Sequence, residues 1–114
     1  MERFMRGDIV VLPFPYTDLS HAKKRPALVI TSLPGNDLIV CQITSQFSKD
    51  RFALALSSAD FERGNLHLPS FIRPNRLFTI DSHIVLYRIG TIRSSRLSAI
   101  INAVIQLIRG ETEP

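Results

Sequence analysis

Lys23-Lys24-Arg25-Pro26-Ala27-Leu28-Val29-Ile30 and Leu38-Ile39-Val40-Cys41-Gln42-Ile43-Thr44 are the two segments whose reading decides the fold. Both are rich in β-branched or apolar residues and too short for ordinary helices, which predicts two buried strands. Leu33-Pro34-Gly35-Asn36 between them is turn chemistry, since Pro pre-sets φ and Gly or Asn takes φ > 0. A hairpin centred between Pro34 and Gly35 places Ile30 opposite Ile39, Leu28 opposite Cys41 and Pro26 opposite Ile43 on one apolar face. The other face runs Val29–Val40, Ala27–Gln42, Arg25–Thr44, and changes from apolar to polar along its length. Directly opposed residues share a face with Cβ atoms about 5 Å apart, so Arg25 and Thr44 are predicted to meet at one end of the hairpin. A β-bulge would shift this pairing.

At 114 residues the chain is read as one domain, residues 1–114, large enough for a core without covalent staples. Apolar residues at 45% and seven prolines fit a loop-punctuated fold rather than disorder. The single cysteine excludes an intrachain disulfide, and Cys41 falls on the apolar face as a packing residue. The first residues lack the apolar run of a signal peptide, and no run reaches the roughly 18 residues of a membrane helix. These features predict a soluble cytoplasmic protein without membrane contact. The net charge of +4 permits a polyanionic partner without requiring one.

Along the chain, Arg6-Gly7-Asp8 forms a turn into an interior strand Ile9–Leu12, which Pro13-Phe14-Pro15 ends. Residues Tyr16 to Lys24 read as an exposed polar loop, and Gln46 to Asp50 as a polar link. Phe52–Leu56 is a further strand, and Ser58–Gly64 a turn or short helix closed by Gly64. Leu66 to Ile80 alternates: Phe71, Arg73, Asn75, Leu77 and Thr79 on one face, Ile72, Pro74, Arg76, Phe78 and Ile80 on the other. Pro74 demands an edge, a bulge or a break there. Asp81 or Ser82 is placed to cap a helical turn, and Arg88–Ile92 is a last strand. Leu97, Ile100, Ile101, Val104, Ile105 and Ile108 form an apolar stripe on a helix from Ser95 to Arg109. Ser94 or Ser95 would cap it, and Gly110 would end it. The sum is a mainly β fold, five to seven short strands in a bent sheet or barrel with a C-terminal helix packed on it.

No Gly-rich phosphate loop and no metal-ligand spacing is present, so neither a cofactor nor a metal is expected. His21, His67 and His83 are scattered among turn residues. The residues alone lead to a basic β-rich domain with an Arg–Thr pair.

Three stretches together resemble a known family. Gly7-Asp8-Ile9-Val10, Pro13-Phe14 to Thr17 and Arg25-Pro26-Ala27-Leu28-Val29 look like the N-terminal signature of the MazF/PemK (Kid-like) toxins of toxin–antitoxin systems. Ile43-Thr44-Ser45-Gln46 is similar to the second motif of that family. Ser70-Phe71-Ile72-Arg73-Pro74 to Leu77-Phe78-Thr79-Ile80-Asp81, with Ile89-Gly90 and Leu97, is similar to the third. The resemblance implies a small SH3-like β-barrel, commonly a homodimer, neutralised by a cognate antitoxin. It implies a metal-independent endoribonuclease acting on single-stranded RNA, in which a 2′-OH attacks the adjacent phosphate to leave 2′,3′-cyclic phosphate and 5′-OH ends.

Such a reaction needs a base, donors for the phosphoryl oxygens and an acid for the leaving oxygen. Arg25 matches the family's catalytic arginine, whose fork of donors suits phosphate. Thr44 matches the motif threonine, and Arg73 an arginine that some members use as a second cation. Ser45 and Gln46 are candidate substrate-binding residues, and Asn75, His21 and Lys24 complete that set. Two positions after Arg73 some members carry an acid where this chain has Asn75, and an arginine of other members is replaced by Phe78. His21 or Asp18, in the loop before the hairpin, could supply the base. The alternatives are a non-catalytic RNA- or protein-binding module of the same fold and a toxin that poisons a topoisomerase.

Overall fold

The computed structural model describes residues 3–14, 23–46 and 50–111. Seven strands and one helix follow one another: β1 Asp8–Phe14, β2 Lys23–Ser32, β3 Asp37–Thr44, β4 Leu54–Leu56, β5 Phe61–Gly64, β6 Ser70–Asp81, β7 Tyr87–Ile92 and α1 Ser94–Arg109. All strands join one antiparallel sheet in the order β4-β6-β3-β2-β1-β7-β5. β1 and β6 are separated by β2 and β3, so in a flat sheet they would lie about 14 Å apart. Yet the rings of Phe14 and Phe78, one on each strand, have centroids 5.2 Å apart. Leu56 of β4 and Phe61 of β5, on opposite edges of the sheet, also lie in one buried cluster, so the sheet is curled into a half-barrel.

Each face carries a core. Ile9, Leu28, Cys41, Ile43 and Ile72 are fully buried together with Ile100 of α1, so the helix caps this face. Val10, Leu12, Phe14, Ala27, Val29, Leu38, Val40 and Ile80 form the core of the other face, with Phe4, Phe78 and Val85 packed against it. Alternation along β1, β2 and β3 is the direct cause: odd and even positions feed different cores. No helix among the described residues is long and apolar enough to cross a membrane.

The central hairpin carries Ala27–Gln42, Leu28–Cys41 and Val29–Val40 in the predicted register. At Ile30 a bulge intervenes, so Thr31, not Ile30, lies opposite Ile39. The predicted pairs Pro26–Ile43 and Arg25–Thr44 fall beyond the last paired residues; Pro26 has no N–H to extend a ladder. β1 does not stop at Leu12, because Pro13 pairs with Lys24 and Phe14 with Lys23. Pairing with β7 ends at Val11, and a proline is tolerated where a strand has one flank free. Lys23 and Lys24 accordingly belong to β2 rather than to the polar loop, whose remainder, residues 16–22, lies outside the described residues.

In β6, Cys41 faces Leu77 but Gln42 faces Arg73, so Pro74, Asn75 and Arg76 form a three-residue bulge. An odd insertion inverts the alternation. Arg73 and Phe71 thus share a face with Phe78 and Ile80, not with Leu77 and Thr79 as unbroken alternation predicts.

Ser58–Asp60 is a single 3₁₀ turn, but Phe61–Gly64 is a strand that pairs with β7. Asp81 accepts the His83 N–H and caps the turn Ser82–Ile84. The N-cap of α1 is Arg93 rather than either serine, and it makes no side-chain capping bond. Its N–H instead donates to the Asp60 carbonyl at 2.8 Å. Gly110, at φ 70°, ends the helix as expected. The apolar stripe is longer than the surface it covers: Ile100 and Val104 are buried, whereas Ile108 is 72% exposed.

Gly64 and Gly90 meet face to face where β5 crosses β7. A Cβ on Gly90 would overlap the Arg63 carbonyl oxygen, and one on Gly64 the Ile89 carbonyl oxygen. Gly90→Ala is expected to destabilise the protein by about 1–3 kcal/mol through this overpacking, measured as a lowered denaturation midpoint at unchanged m-value. An unchanged midpoint would show that β5 yields without cost.

Candidate functional site

The face that carries Val10, Val29 and Val40 is apolar over most of its length and turns polar at one end. There β3 contributes Gln42 and Thr44, β6 contributes Arg73 and Phe71, and β2 contributes Arg25. Gln42 lies between Ala27 of β2 and Arg73 of β6, and Thr44 lies opposite Phe71. Arg25 lies opposite Leu12 of β1, two residues from Ala27 and therefore on the same face as it. Three strands thus bring Arg25, Thr44 and Arg73, the predicted catalytic set, to one patch of sheet. Gln42, only 7% exposed, sits inside this patch. Its place on the polar face was legible in the hairpin pattern, but nothing in the sequence marked it as a neighbour of Arg73.

Thr44 is half-buried, and its Oγ1 accepts the Gln46 backbone N–H at 3.2 Å. That bond uses the oxygen as acceptor, so the hydroxyl hydrogen is left to donate. Ser45 and Gln46 are exposed just beyond the end of β3. Lys24 is exposed, and strand alternation places it on the opposite face of β2 from Arg25. His21 and Asp18 lie outside the described residues. His67 and His83 are exposed, and His83 pairs with Asp81 at 2.8 Å, in the turn after β6.

One residue of the site escaped the sequence reading. Asp50, in the link between β3 and β4, is an ion-pair partner of Arg73, with Oδ2 3.2 Å from Nε. Its Oδ1 accepts the Phe52 N–H at 2.9 Å, and its carbonyl accepts the Ala53 N–H at 3.1 Å. The Asn75 side chain, from the β6 bulge, lies beside the same carboxylate. Burial pushes the Asp50 carboxyl upward. The hydrogen bonds from Phe52 and Arg73, the neighbouring Asn75 amide and the Arg73 charge outweigh it and hold the group below the usual carboxylate range. The pair is mostly out of solvent, with side-chain exposures of 20% for Arg73 and 10% for Asp50.

Cys41 lies behind the patch, fully buried, its Sγ donating to the Arg73 carbonyl at 3.4 Å. Burial pushes its thiol up to about 12, so it is a packing residue rather than a nucleophile.

Residues 5–108 match the model of a family described as the PemK-like, MazF-like toxins of type II toxin–antitoxin systems. A search of curated protein sequences gives no match. Among solved structures, MazF (Form-I) from Deinococcus radiodurans superposes with a TM-score of 0.75 at 16% identity, covering 96% of this chain and 99% of that one. The Mycobacterium tuberculosis toxin MazF-mt6 gives 0.69 at 18% identity, covering 90% and 96%. An endoribonuclease in complex with its cognate antitoxin, from a mycobacterial species, gives 0.71 at 14% identity, covering 98% and 100%. At these identities the likeness is one of fold.

Because the folded-state value of Asp50 lies below its unfolded value of about 3.9, its bonds stabilise the protein fully above that value. The contribution is lost as pH falls through the lower, folded value. The melting-temperature gap between wild type and Asp50→Asn is therefore expected to be constant from neutral pH to about pH 4 and to shrink below it. A gap independent of pH down to acid unfolding would contradict the assignment.

Proposed function

Since this chain belongs to the PemK-like, MazF-like toxins of type II toxin–antitoxin systems, we propose that it is an endoribonuclease that cuts single-stranded RNA at the polar end of the face that carries Val29 and Val40. The observation that carries this reading is the convergence of Arg25, Thr44 and Arg73 from three different strands on one patch. Two guanidiniums and a hydroxyl are a donor set for a phosphodiester, and they stand on strands rather than on loops, so their backbones are held in place before substrate arrives.

RNA carries its own nucleophile. In the proposed reaction the 2′-OH gives its proton to a base and attacks the adjacent phosphorus. The P–O bond to the 5′ oxygen breaks and that oxygen takes up a proton, leaving a 2′,3′-cyclic phosphate and a 5′-OH. Charge grows on the non-bridging oxygens between these two events. Arg25 and Arg73 meet it with paired N–H donors, and Thr44 with its hydroxyl. Arginine keeps its proton at all working pH values, so both act as electrostatic clamps. Because the nucleophile is within the substrate and the charge is met by side chains, the reaction proposed here needs no metal. Ser45 and Gln46, exposed at the rim beside Thr44, are placed to meet the flanking nucleotides. The partner that restrains this activity is proposed to be a cognate antitoxin, as in the mycobacterial complex of the same fold, and the toxin is proposed to act as a homodimer in the cytoplasm.

Purified protein incubated with a long unstructured RNA in the presence of chelator is expected to give discrete cuts with cyclic-phosphate ends. Arg25→Ala is expected to lower the rate by about 10²–10³-fold, the loss typical of one charge-stabilising donor. Intact RNA at high protein concentration would overturn the nuclease reading; RNA retained but uncut would identify a binding module. Cutting that survives in Arg25→Ala would show that the site lies elsewhere.

A further inference from the structure

We infer that Asp50 is the positioning residue of this site, holding the Arg73 guanidinium by its Nε edge so that both terminal nitrogens are left to face the scissile phosphate. The inference rests on the nuclease reading for its consequence, but its geometry stands apart from it.

Arg73 leaves β6 immediately before a three-residue bulge, where strand packing fixes its Cα but not its long side chain. An arginine loses about 2 kcal/mol of rotamer freedom when it is held in one geometry. The Asp50 carboxylate takes Arg73 through Nε at 3.2 Å. Of the five guanidinium donors, this uses the one on the chain side; the four N–H groups on the terminal nitrogens are the ones a phosphate engages two at a time.

Asp50 is itself held from two directions. Oδ1 accepts the Phe52 N–H and its carbonyl accepts the Ala53 N–H, a local turn that fixes the residue within its own segment. Across from it, the Asn75 amide lies beside the same carboxylate from the bulge. The carboxylate thus ties the link after β3 to the bulge of β6, on either side of Arg73. The Phe52 N–H and the Arg73 guanidinium on one carboxylate also make it a poor proton acceptor, so the geometry points to an orienting role and not to the base that removes the 2′ proton.

Asn75 and Asp50 meet as amide and acid, and this contact is the handle for a test. Exchanging them keeps the net charge and the acid–amide pair beside Arg73, whereas changing either one alone does not. Four proteins decide the matter: wild type, Asp50→Asn, Asn75→Asp and the double exchange Asp50→Asn/Asn75→Asp, each checked for a cooperative melt. Asp50→Asn is expected to lower kcat by about 10²-fold with KM within about threefold, the cost of a guanidinium displaced by about 1 Å. Asn75→Asp brings two carboxylates together and is expected to lower kcat as well. The double exchange is expected to regain at least about tenfold over Asp50→Asn. A structural role alone would lower apparent kcat only in proportion to the folded fraction read from the melt, and the exchange would not rescue it. Wild-type kcat in Asp50→Asn, or no gain in the double exchange, would overturn the inference.

A second readout needs no cleavage. In nitrogen-labelled protein the Arg73 Nε–H is expected to exchange with solvent more slowly than that of Arg109, whose side chain is 70% exposed. Its exchange is expected to speed up in Asp50→Asn and to slow again in the double exchange. Fast exchange of Arg73 in the wild type would sink the positioning role, whether or not RNA is cut. Slow exchange in a protein that leaves RNA intact would sink only the nuclease reading.

Discussion

The Pro74-Asn75-Arg76 bulge in β6 is the constraint on which the site depends. Three residues are inserted between the Gln42–Arg73 and Cys41–Leu77 pairs, and three is an odd number, so every side chain beyond the bulge changes face. Without the insertion Arg73 and Phe78 would stand on opposite sides of the sheet. With it, a cation and the Phe78 ring share one face, where Phe78 also meets Phe14. The bulge is itself pinned. Pro74 is fully buried, the Arg73 carbonyl accepts the Cys41 thiol, and the Arg73 guanidinium pairs with Asp50. A proline, which would weaken a continuous ladder, here occupies a place where no ladder runs.

How much of this could be read in the sequence follows from the range of each interaction. The β2–β3 register over Ala27–Val29 was legible because two alternating patterns flanked a turn of known chemistry. The bulge at Ile30 was not, since one more β-branched residue in an apolar run looks the same paired or unpaired. Pro74 announced an interruption of β6, but the number of inserted residues depends on what β3 offers opposite, so the inverted faces beyond it were hidden. Pro13 misled in the other direction. A proline marks a strand end only if both flanks are paired, and β1 loses β7 after Val11. The helix stripe was visible in full, yet Ile105 and Ile108 run past the sheet that buries Ile100 and Val104. Periodicity reports what a face is made of, not how far its partner extends.

Arg25, Thr44 and Arg73 could be picked out from motif resemblance, and the sheet supports their convergence through backbone pairing alone. Asp50 could not. It lies 23 residues from Arg73 in the chain, in a polar link where a carboxylate is ordinarily solvated. Attention to Asn75 as a missing acid pointed at the right neighbourhood but at one end of the contact. The carboxylate is present, on the other side of it.

That placement has an electrostatic reason. β2 and β6 flank β3, so the arginines at positions 25 and 73 rise from strands about 10 Å apart. Like charges so placed repel. In the proposed reaction a phosphate seated between them would convert this repulsion into attraction, but the free protein must tolerate it. Asp50 offsets the Arg73 charge before substrate arrives. Had it bound the terminal nitrogens, the same neutralisation would have consumed the donors a phosphate needs. Contact at Nε separates the two demands: the charge is compensated from behind, and the fork remains open in front.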